Sequence, residues 1–457
     1  MVAMEQVKGP KTPKFAQLIE WIFNPLQMME KSAKAYGDKF KLFLVGDNPS
    51  VFVHHPQAIK EIFTASPDKF DSGRGNQIIA SLLGEQSLVL LDGSQHQRQR
   101  KLLTPPFHGD RMKSYGDLIC KITEEVISDW KIGEPFAVRT SIQEISLRVI
   151  LQAVFGLNEG ERYDEIKQLI ASVLDVSGSP LRAMLVFVPL LQKDLGAWSP
   201  WGHFLRQQKR LDDLLYAEIE ERRDNPDASR EDILSLMMAA RDEQGQPMTN
   251  KEIRDELMTL LVAGHETTAS SLTWAFYWIH HLPEVKEKLL AELDKVDTSD
   301  DLSLIAKLPY LNGVCAETLR IYPIALIAFP RINKAPIKIM DCEYPAETWL
   351  TPCIYLTHHR EDLYPEPKQF KPERFIEKQY SPYEYLPFGG GNRRCIGMAF
   401  ALFEMKLVLT TVLQKLDLAI VNNQEVKPTR RGGTLAPSDG KWLVATAKRN
   451  MKVKVEV

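Results

Sequence analysis

The chain has 457 residues, of which 44% are hydrophobic and 26% charged, a balance ordinary for a globular protein with a substantial core. Its formal net charge of -3 argues against a nucleic-acid-binding protein. The five cysteines include no CxxC pair, which argues against a disulfide framework or a structural zinc site and favours reduced thiols in the cytoplasm.

Residues 1–30 form an N-terminal extension for which the pattern predicts a helix. The first residues are polar and lack the apolar core of a signal peptide. The stretch 15–29 is apolar-rich, but Glu20, Asn24 and Pro25 interrupt it well short of the ~20 residues that a spanning helix needs. We therefore expect no transmembrane anchor and a helix packed on the body of the protein. A contact with a membrane surface is the alternative.

Further along the chain, helical patterns lie between two strand-rich regions. Alternating side chains predict strands at 39–45 and 50–53. From about residue 97 to 296 the pattern is mostly helical, and it predicts helices over 115–130, 141–155, 161–173 and 201–223. Strand-like runs return after residue 323, followed by a Pro-rich stretch over 352–387, a last long helix over 398–416 and final strands.

This order of elements predicts an α+β fold that is predominantly α-helical, with small segregated β-sheets. No repeat or Gly/Ser-rich linker divides the chain, so we expect a single domain over 1–457. The absence of repeated βαβ units argues against a dinucleotide-binding fold.

The longest predicted helix runs over 251–281, with Asn250 as its N-cap and Pro283 after its end. At 1.5 Å per residue it measures about 45 Å, enough to cross a domain. Its centre, 263–268, reads AGHETT. The polar groups there argue against a transmembrane helix, and an acid beside a hydroxyl in an apolar helix suggests a proton path.

A cysteine in a glycine-dense loop is the strongest chemical signal, because residues 388–397 read FGGGNRRCIG just before a helix. Glycines let a backbone approach a flat cofactor closely. The positive end of the following helix favours a thiolate at Cys395. A structural cysteine after a glycine turn is the alternative. Five positions in register outweigh it: Phe388, Gly391, Arg393, Cys395 and Gly397.

This loop resembles the haem-binding signature of the cytochrome P450 family. The resemblance implies Cys395 as the axial thiolate ligand of iron, Phe388 beside the sulfur and Arg393 on a haem propionate. Because CxxCH is absent, a haem b would be held non-covalently. The matches run from about residue 35 to the C-terminus, so the resemblance also implies the P450 fold with its long central helix.

The centre of the long helix is similar to the oxygen-binding segment of the same family. The resemblance implies that Thr267 hydrogen-bonds dioxygen and Glu266 relays protons, while the small residues Ala263 and Gly264 leave room for the haem. The alternative is that Thr267 only bonds the preceding turn of its own helix.

Two further groups of charged residues match family patterns. Glu317 and Arg320, joined by Arg374, resemble a buried structural network. His96 and Arg100 lie four apart on one helical face, where they and Arg331 would also bind the propionates.

The other side of the helix that carries His96 is basic. Arg98 and Lys101, with Arg394, predict a docking patch for an acidic ferredoxin. A solvated run of charges is the alternative explanation.

Apolar segments predict the substrate pocket, with the residues Ile78, Leu82, Phe187, Ile324, Leu326 and Leu435 as candidate walls. Such walls suit a large apolar molecule, although many of these residues would serve equally well as core. Arg74 and Arg182 are candidate partners of a substrate carboxylate.

These features predict a monomeric haem-thiolate monooxygenase that acts on a fatty acid, terpenoid or steroid-like substrate. The resemblance is to soluble bacterial members, cyanobacterial ones among them. No flavin or iron–sulfur domain fits in the chain, so a ferredoxin and an NAD(P)H reductase would supply the electrons. A peroxide-using haem-thiolate enzyme and a non-catalytic haem sensor are the alternatives. Cys342 and Glu347 stand where the family often has glycine, which puts the local turns in doubt.

Overall fold

The computed structural model describes residues 2–3, 7–44, 48–107, 111–157, 159–175, 185, 188, 191–227, 229–296, 301–421, 425–431 and 433–449. The helices are α1 (Lys14–Phe23), α2 (Pro25–Tyr36), α3 (Pro56–Thr64), α4 (Ala80–Leu83), α5 (Gly93–Leu103), α6 (Arg111–Ser128), α7 (Val138–Phe155), α8 (Glu161–Asp175), α9 (Pro200–Asp224), α10 (Ile233–Ala239), α11 (Asn250–His281), α12 (Pro283–Leu293), α13 (Pro309–Ile321), α14 (Ile354–His358), α15 (Arg374–Glu377) and α16 (Met398–Lys415).

The strands are short. They are β1 (Val2–Ala3), β2 (Lys39–Leu42), β3 (Ser50–Val53), β4 (Phe70–Asp71), β5 (Pro135–Phe136), β6 (Arg331–Asn333), β7 (Ile337–Ile339), β8 (Cys342–Tyr344), β9 (Trp349–Pro352), β10 (Leu416–Ile420), β11 (Pro428–Arg431), β12 (Thr434–Pro437) and β13 (Leu443–Lys448). The sheet orders are β2-β3-β9-β6-β4, β1-β8-β7, β10-β13-β5 and β11-β12. The predicted helix-dominated α+β fold with small separate sheets is confirmed.

Helix α11 is the centre of the helical layer. It is 32 residues long, buried along most of its length, and packs against α7, α9, α13 and α16. The N-cap prediction was wrong by one residue. Thr249 caps the helix in a capping box with Glu252, because the Thr249 hydroxyl and the Glu252 carboxylate satisfy each other's backbone N–H groups.

The predicted N-terminal helix is two helices, because Pro25 starts a new one after Asn24. Trp21 and Ile22 of α1 are buried, and Trp21 packs edge-on against Phe52 of β3. In the part of the chain that the structure describes, no helix combines the length and apolar content needed to cross a bilayer. The single-domain assignment over 1–457 stays a prediction.

Candidate functional site

The cysteine loop joins a short 3-10 turn, Gly391–Arg393, to the start of α16. The Cys395 N–H donates to the Phe388 carbonyl at 3.0 Å, which closes the loop on itself. Three positions of this loop require glycine, for backbone conformation or for space. Gly389 and Gly391 have φ values of 66° and 64°, and a Cβ on Gly390 would lie 2.3 Å from the ring of Phe63.

Cys395 is accessible although its thiol is set deep in the protein. Burial raises the pKa of this thiol, while a backbone hydrogen bond from Gly397 and the charges of Arg100 and Arg394 lower it. Cys395 is nevertheless exposed. Both statements hold when the sulfur faces an internal cavity, with a hydrogen-bond donor and two cations ready to stabilise a thiolate.

Positive charge is concentrated next to this loop, and the predicted propionate partners meet there. Burial lowers the pKa of His96 to about 3, and the charges of Arg393, Arg100 and Arg331 lower it further. Burial likewise lowers the pKa of Arg331 to about 9 and that of Arg393 to about 10. These side chains come from α5, β6 and the cysteine loop.

One acid faces this cation cluster at close range. Asp92 accepts from Arg393 at 2.5 Å and also from the backbone N–H groups of Ser72, Gly73 and Arg74. The Nε of Arg393 is buried without a hydrogen-bond partner among the described residues. Such an excess of buried cations calls for an anion, and the two propionates of a haem fit it. The donor set and the accessible thiol thus suit a haem.

The middle of α11 exposes Ala263, although the helix around it is buried or half-buried. Ala263 is exposed, whereas Leu261 and His265 on either side are 1% and 5% exposed. Gly264 has a packing reason of its own. A Cβ at this position would lie 2.9 Å from Ile150, so the missing side chain lets α11 approach α7. The role of Ala263 and Gly264 beside a haem stays a prediction.

Thr267 lies one turn after Ala263, and its hydroxyl donates to the Ala263 carbonyl at 2.5 Å. This is the intrahelical bond that the alternative interpretation predicted. It leaves the lone pairs of the hydroxyl oxygen free to accept another hydrogen bond.

Glu266 is held by residues that the sequence analysis missed. Arg139 of α7 donates to it at 2.5 Å and Gln143 at 3.1 Å, while the Ser270 hydroxyl lies 3.3 Å away. Arg139 is 5% exposed and also lies 3.5 Å from the exposed Asp439. Nothing in the local sequence marks Arg139, because it stands 127 residues before Glu266.

The three members of the predicted charge network, Glu317, Arg320 and Arg374, contact one another through the Glu317 carboxylate. Arg320 makes two hydrogen bonds to Glu317, at 2.6 and 2.8 Å, and both side chains are fully buried. Arg374 lies 3.4 Å from Glu317, and the Lys371 N–H donates to the same carboxylate. The network joins α13 to the segment that leads to the cysteine loop.

The predicted basic patch is largely neutralised within the chain. Arg98 pairs with Asp242 at 2.6 Å and Glu252 at 2.7 Å, and Lys101 pairs with Glu243. The remaining member, Arg394, is exposed and contacts the sulfur of Met398. A cavity of about 450 Å³ lies beside it, against Phe388–Gly391 but not the thiol, so the side of the loop away from the sulfur is recessed.

The predicted pocket walls divide into two groups. The Leu435 N–H of β12 donates to the Ile324 carbonyl. Strand β12 in turn contacts α11. Leu326 and Leu435 themselves belong to the core cluster around Trp21.

Ile78 and Leu82 are half-buried near α4, which also contacts α11. Phe187 and Arg182 lie outside the described residues. Arg74 is engaged by Glu347 at 2.7 Å and by Asp71, which leaves it little capacity for a substrate carboxylate.

The two residues that stand in place of family glycines, Cys342 and Glu347, have different backbone conformations. Glu347 and Met340 adopt glycine-like φ values of 66° and 52°. Cys342 instead lies buried in β8 with an ordinary strand conformation.

Comparison with known proteins agrees with these features. The cytochrome P450 family model matches residues 8–444. The chain is 34% identical to cytochrome P450 135B1 of Mycobacterium tuberculosis over 97% of this chain and 92% of that protein. It is also 34% identical to cytochrome P450 138 of the same organism, over 94% of each.

Two solved structures resemble the fold. A retinoic-acid-bound cyanobacterial cytochrome P450, CYP120A1, superposes with a TM-score of 0.80 at 25% identity and covers 93% of this chain and 96% of its own. The haem domain of cytochrome P450DA superposes with a TM-score of 0.83 at 22% identity, covering 97% and 98%. The cysteine loop suits a thiolate ligand of haem, and both the fold and the relatives agree with this. The chain belongs to the cytochrome P450 family and is a haem-thiolate monooxygenase.

Proposed function

We propose that this P450 inserts one oxygen atom from O2 into a large hydrophobic molecule of the fatty acid, terpenoid or steroid-like class. Electrons would come from NAD(P)H through a separate reductase and a ferredoxin-type donor. The observation that carries the proposal is the placement of Thr267 and Glu266 beside the exposed Ala263 at the centre of α11.

Cys395 is the proposed axial ligand of a non-covalent haem b, with Phe388 and Gly397 beside the sulfur. His96, Arg100, Arg331 and Arg393 would hold the propionates, because they form an excess of buried positive charge. When bound, the haem supplies the redox chemistry that activates O2.

Thr267 and Glu266 are the proposed catalytic residues. The Thr267 hydroxyl donates its own proton to the Ala263 carbonyl and keeps spare acceptor capacity, so it would accept a hydrogen bond from a neighbouring donor and hold that donor's proton beside the site where oxygen reacts. Glu266 would pass protons inward from solvent. Its partner Arg139 lies close to the exposed Asp439, which connects this acid to the surface.

The substrate class rests on the walls around α11. The candidate residues Ile78, Leu82 and Ile324 are apolar and belong to segments that approach this helix. The similar cyanobacterial structure, CYP120A1, contains bound retinoic acid, a large apolar ligand. Both observations support a large hydrophobic substrate for this chain.

The donor would bind on the side of the loop where Arg394 and the 450 Å³ recess lie. This revises the patch predicted from sequence, because Arg98 and Lys101 are neutralised by acids of the same chain. Complementary charge on an acidic donor would speed its encounter with Arg394.

The test is the replacement Thr267→Ala, with Thr268→Ala as the matched control because Thr268 is buried on the same helix. The Thr267 variant should bind haem and substrate normally and still consume NAD(P)H. Its product yield should fall and hydrogen peroxide should rise, because a general acid–base step contributes ~10²–10⁴-fold.

The measurement is product formed per NAD(P)H consumed, with a competent reductase and ferredoxin present. The control should stay close to wild type. A Thr267→Ala enzyme as tightly coupled as wild type would show that the hydroxyl only bonds its own helix.

A further inference from the structure

Helix α1 carries a second apolar face that points into solvent. Phe15, Ile19 and Phe23 are 67%, 38% and 47% exposed. Because they are spaced four residues apart, slightly more than one helical turn, they form one stripe along the helix. Three large apolar side chains in line on a solvent face cost hydration free energy unless something covers them.

The opposite face of α1 already fixes the helix to the protein. Trp21 is buried against Phe52, and the guanidinium of Arg430 lies 5.0 Å from its indole ring. Gln17 donates to the Thr12 carbonyl and accepts from the Phe43 N–H. The stripe is therefore not needed to hold α1 in place, and the helix presents it in a fixed orientation.

The segment of sequence that contains the stripe is basic, although Lys39 pairs with Asp341 outside it. Residues 8–41 contain seven lysines and three acidic residues, a net charge of +4, whereas the whole chain carries -3. Lys8, Lys11, Lys31 and Lys34 are exposed. Lys14 begins α1, and its ammonium lies 5.0 Å from the centre of the Phe43 ring. Such a surface suits a partner that is both apolar and anionic.

We infer that α1 docks on the surface of an anionic lipid bilayer, with the stripe at the boundary between headgroups and acyl chains. Apolar residues on one face and lysines around them are the features of an interfacial helix. With 10 residues, α1 is too short to span a membrane. Three partly exposed side chains also fall far short of the about 800 Å² per partner that a stable protein dimer buries.

Docking in this position has a consequence for catalysis. A large apolar substrate, the class proposed above, concentrates in lipid, so the enzyme would meet it there. That consequence rests on the proposed function, whereas the binding of α1 to lipid does not. A failure of lipid binding by α1 and a failure of the proposed function would therefore appear in different experiments.

The experiment is co-sedimentation of the full-length, haem-loaded protein with lipid vesicles. One set contains phosphatidylcholine only, and the other contains about one third phosphatidylglycerol. Wild type should bind the anionic vesicles more strongly, and the binding should weaken as salt rises. Replacing both phenylalanines, Phe15→Ser and Phe23→Ser, should weaken binding about tenfold or more. Leu304→Ser is the apolar control, because Leu304 is 42% exposed elsewhere and its loss should change nothing.

A charge pair of variants completes the design. Lys11→Glu should weaken binding to anionic vesicles, whereas Lys131→Glu, at another exposed site, should not. The haem spectrum and melting temperature of each variant should match wild type, which shows that folding is intact.

Equal binding to both vesicle types, or full binding by the double phenylalanine variant, would overturn the proposal. A wild-type dimer that this variant lacks would also overturn it, by assigning the stripe to a contact between copies.

Discussion

Two buried arginines, Arg320 and Arg331, show how this protein divides its internal charge. They are 0% and 3% exposed. Arg320 makes two hydrogen bonds to the Glu317 carboxylate and one to the His358 carbonyl. Arg331 bonds only to the carbonyls of Phe329 and Gly390 among the described residues, and burial with the nearby charge of Arg393 lowers its pKa to about 9.

The difference separates a charge that serves the fold from a charge that awaits a ligand. A buried ion pair whose acceptor lies within the chain is complete when the protein folds. A buried guanidinium without a carboxylate partner costs free energy until an anion arrives. The same contrast recurs at the surface, where Lys101 pairs with Glu243 while the Arg394 guanidinium contacts the sulfur of Met398.

The largest effect is expected for Arg320, whose carboxylate partner lies within the chain. Glu317→Ala should lower the free energy of unfolding by ~3–5 kcal/mol, because it leaves Arg320 buried and unpaired. Thermal unfolding and haem content measure this loss.

The control for this change is Glu134→Ala. Lys131 and Glu134 have the same three-residue spacing but are exposed, at 72% and 67%, so the effect there should be about 0–1 kcal/mol. Equal melting temperatures for the two variants would show that the Glu317 pair contributes no more than a surface pair.

An intermediate effect of a different kind is expected at Arg331. Arg331→Met removes a charge that no carboxylate of the described residues pairs, so the haem-free protein should lose little stability. Haem release should become faster by about ten- to 100-fold, since a charge-assisted hydrogen bond contributes ~1.5–3 kcal/mol. Transfer of haem to an acceptor protein measures the rate.

Arg430→Met is the control, because Arg430 is also buried but bonds the carbonyl of Trp21 and does not belong to the cation cluster beside the cysteine loop. This variant should lose stability and keep the wild-type rate of haem release. An Arg331→Met protein that unfolds easily but releases haem slowly would reverse the comparison.

The smallest effect is expected at the surface. Arg394→Gln should slow reduction by an acidic ferredoxin about two- to fivefold, and the defect should shrink at high salt. Lys101→Gln should change the rate less, because Glu243 already offsets the charge of Lys101. Stopped-flow reduction at several salt concentrations compares the two. If Lys101→Gln slowed reduction more than Arg394→Gln, the result would favour the patch predicted from sequence as the docking site.

Local patterns in the sequence determined much of this protein. The alternation at Lys39–Leu42 and the periodicity of α11 predicted a strand and a helix correctly, because side chains two or four residues apart share a face in any fold. The order of residues in the cysteine loop identified the family. The N-terminal pattern predicted one helix, but Pro25 divides it into two.

Only the tertiary structure decided which distant charges meet. Arg139 reaches Glu266 across 127 residues, and Arg98 loses its role as a free cation because Asp242 lies against it. Gly264 lies against Ile150 of α7, a contact that its own sequence neighbourhood does not reveal. Sequence shows that a residue is charged or small, but the packing of helices far apart along the chain selects its partner, and that partner decides whether the charge stabilises the fold or stays open for a ligand.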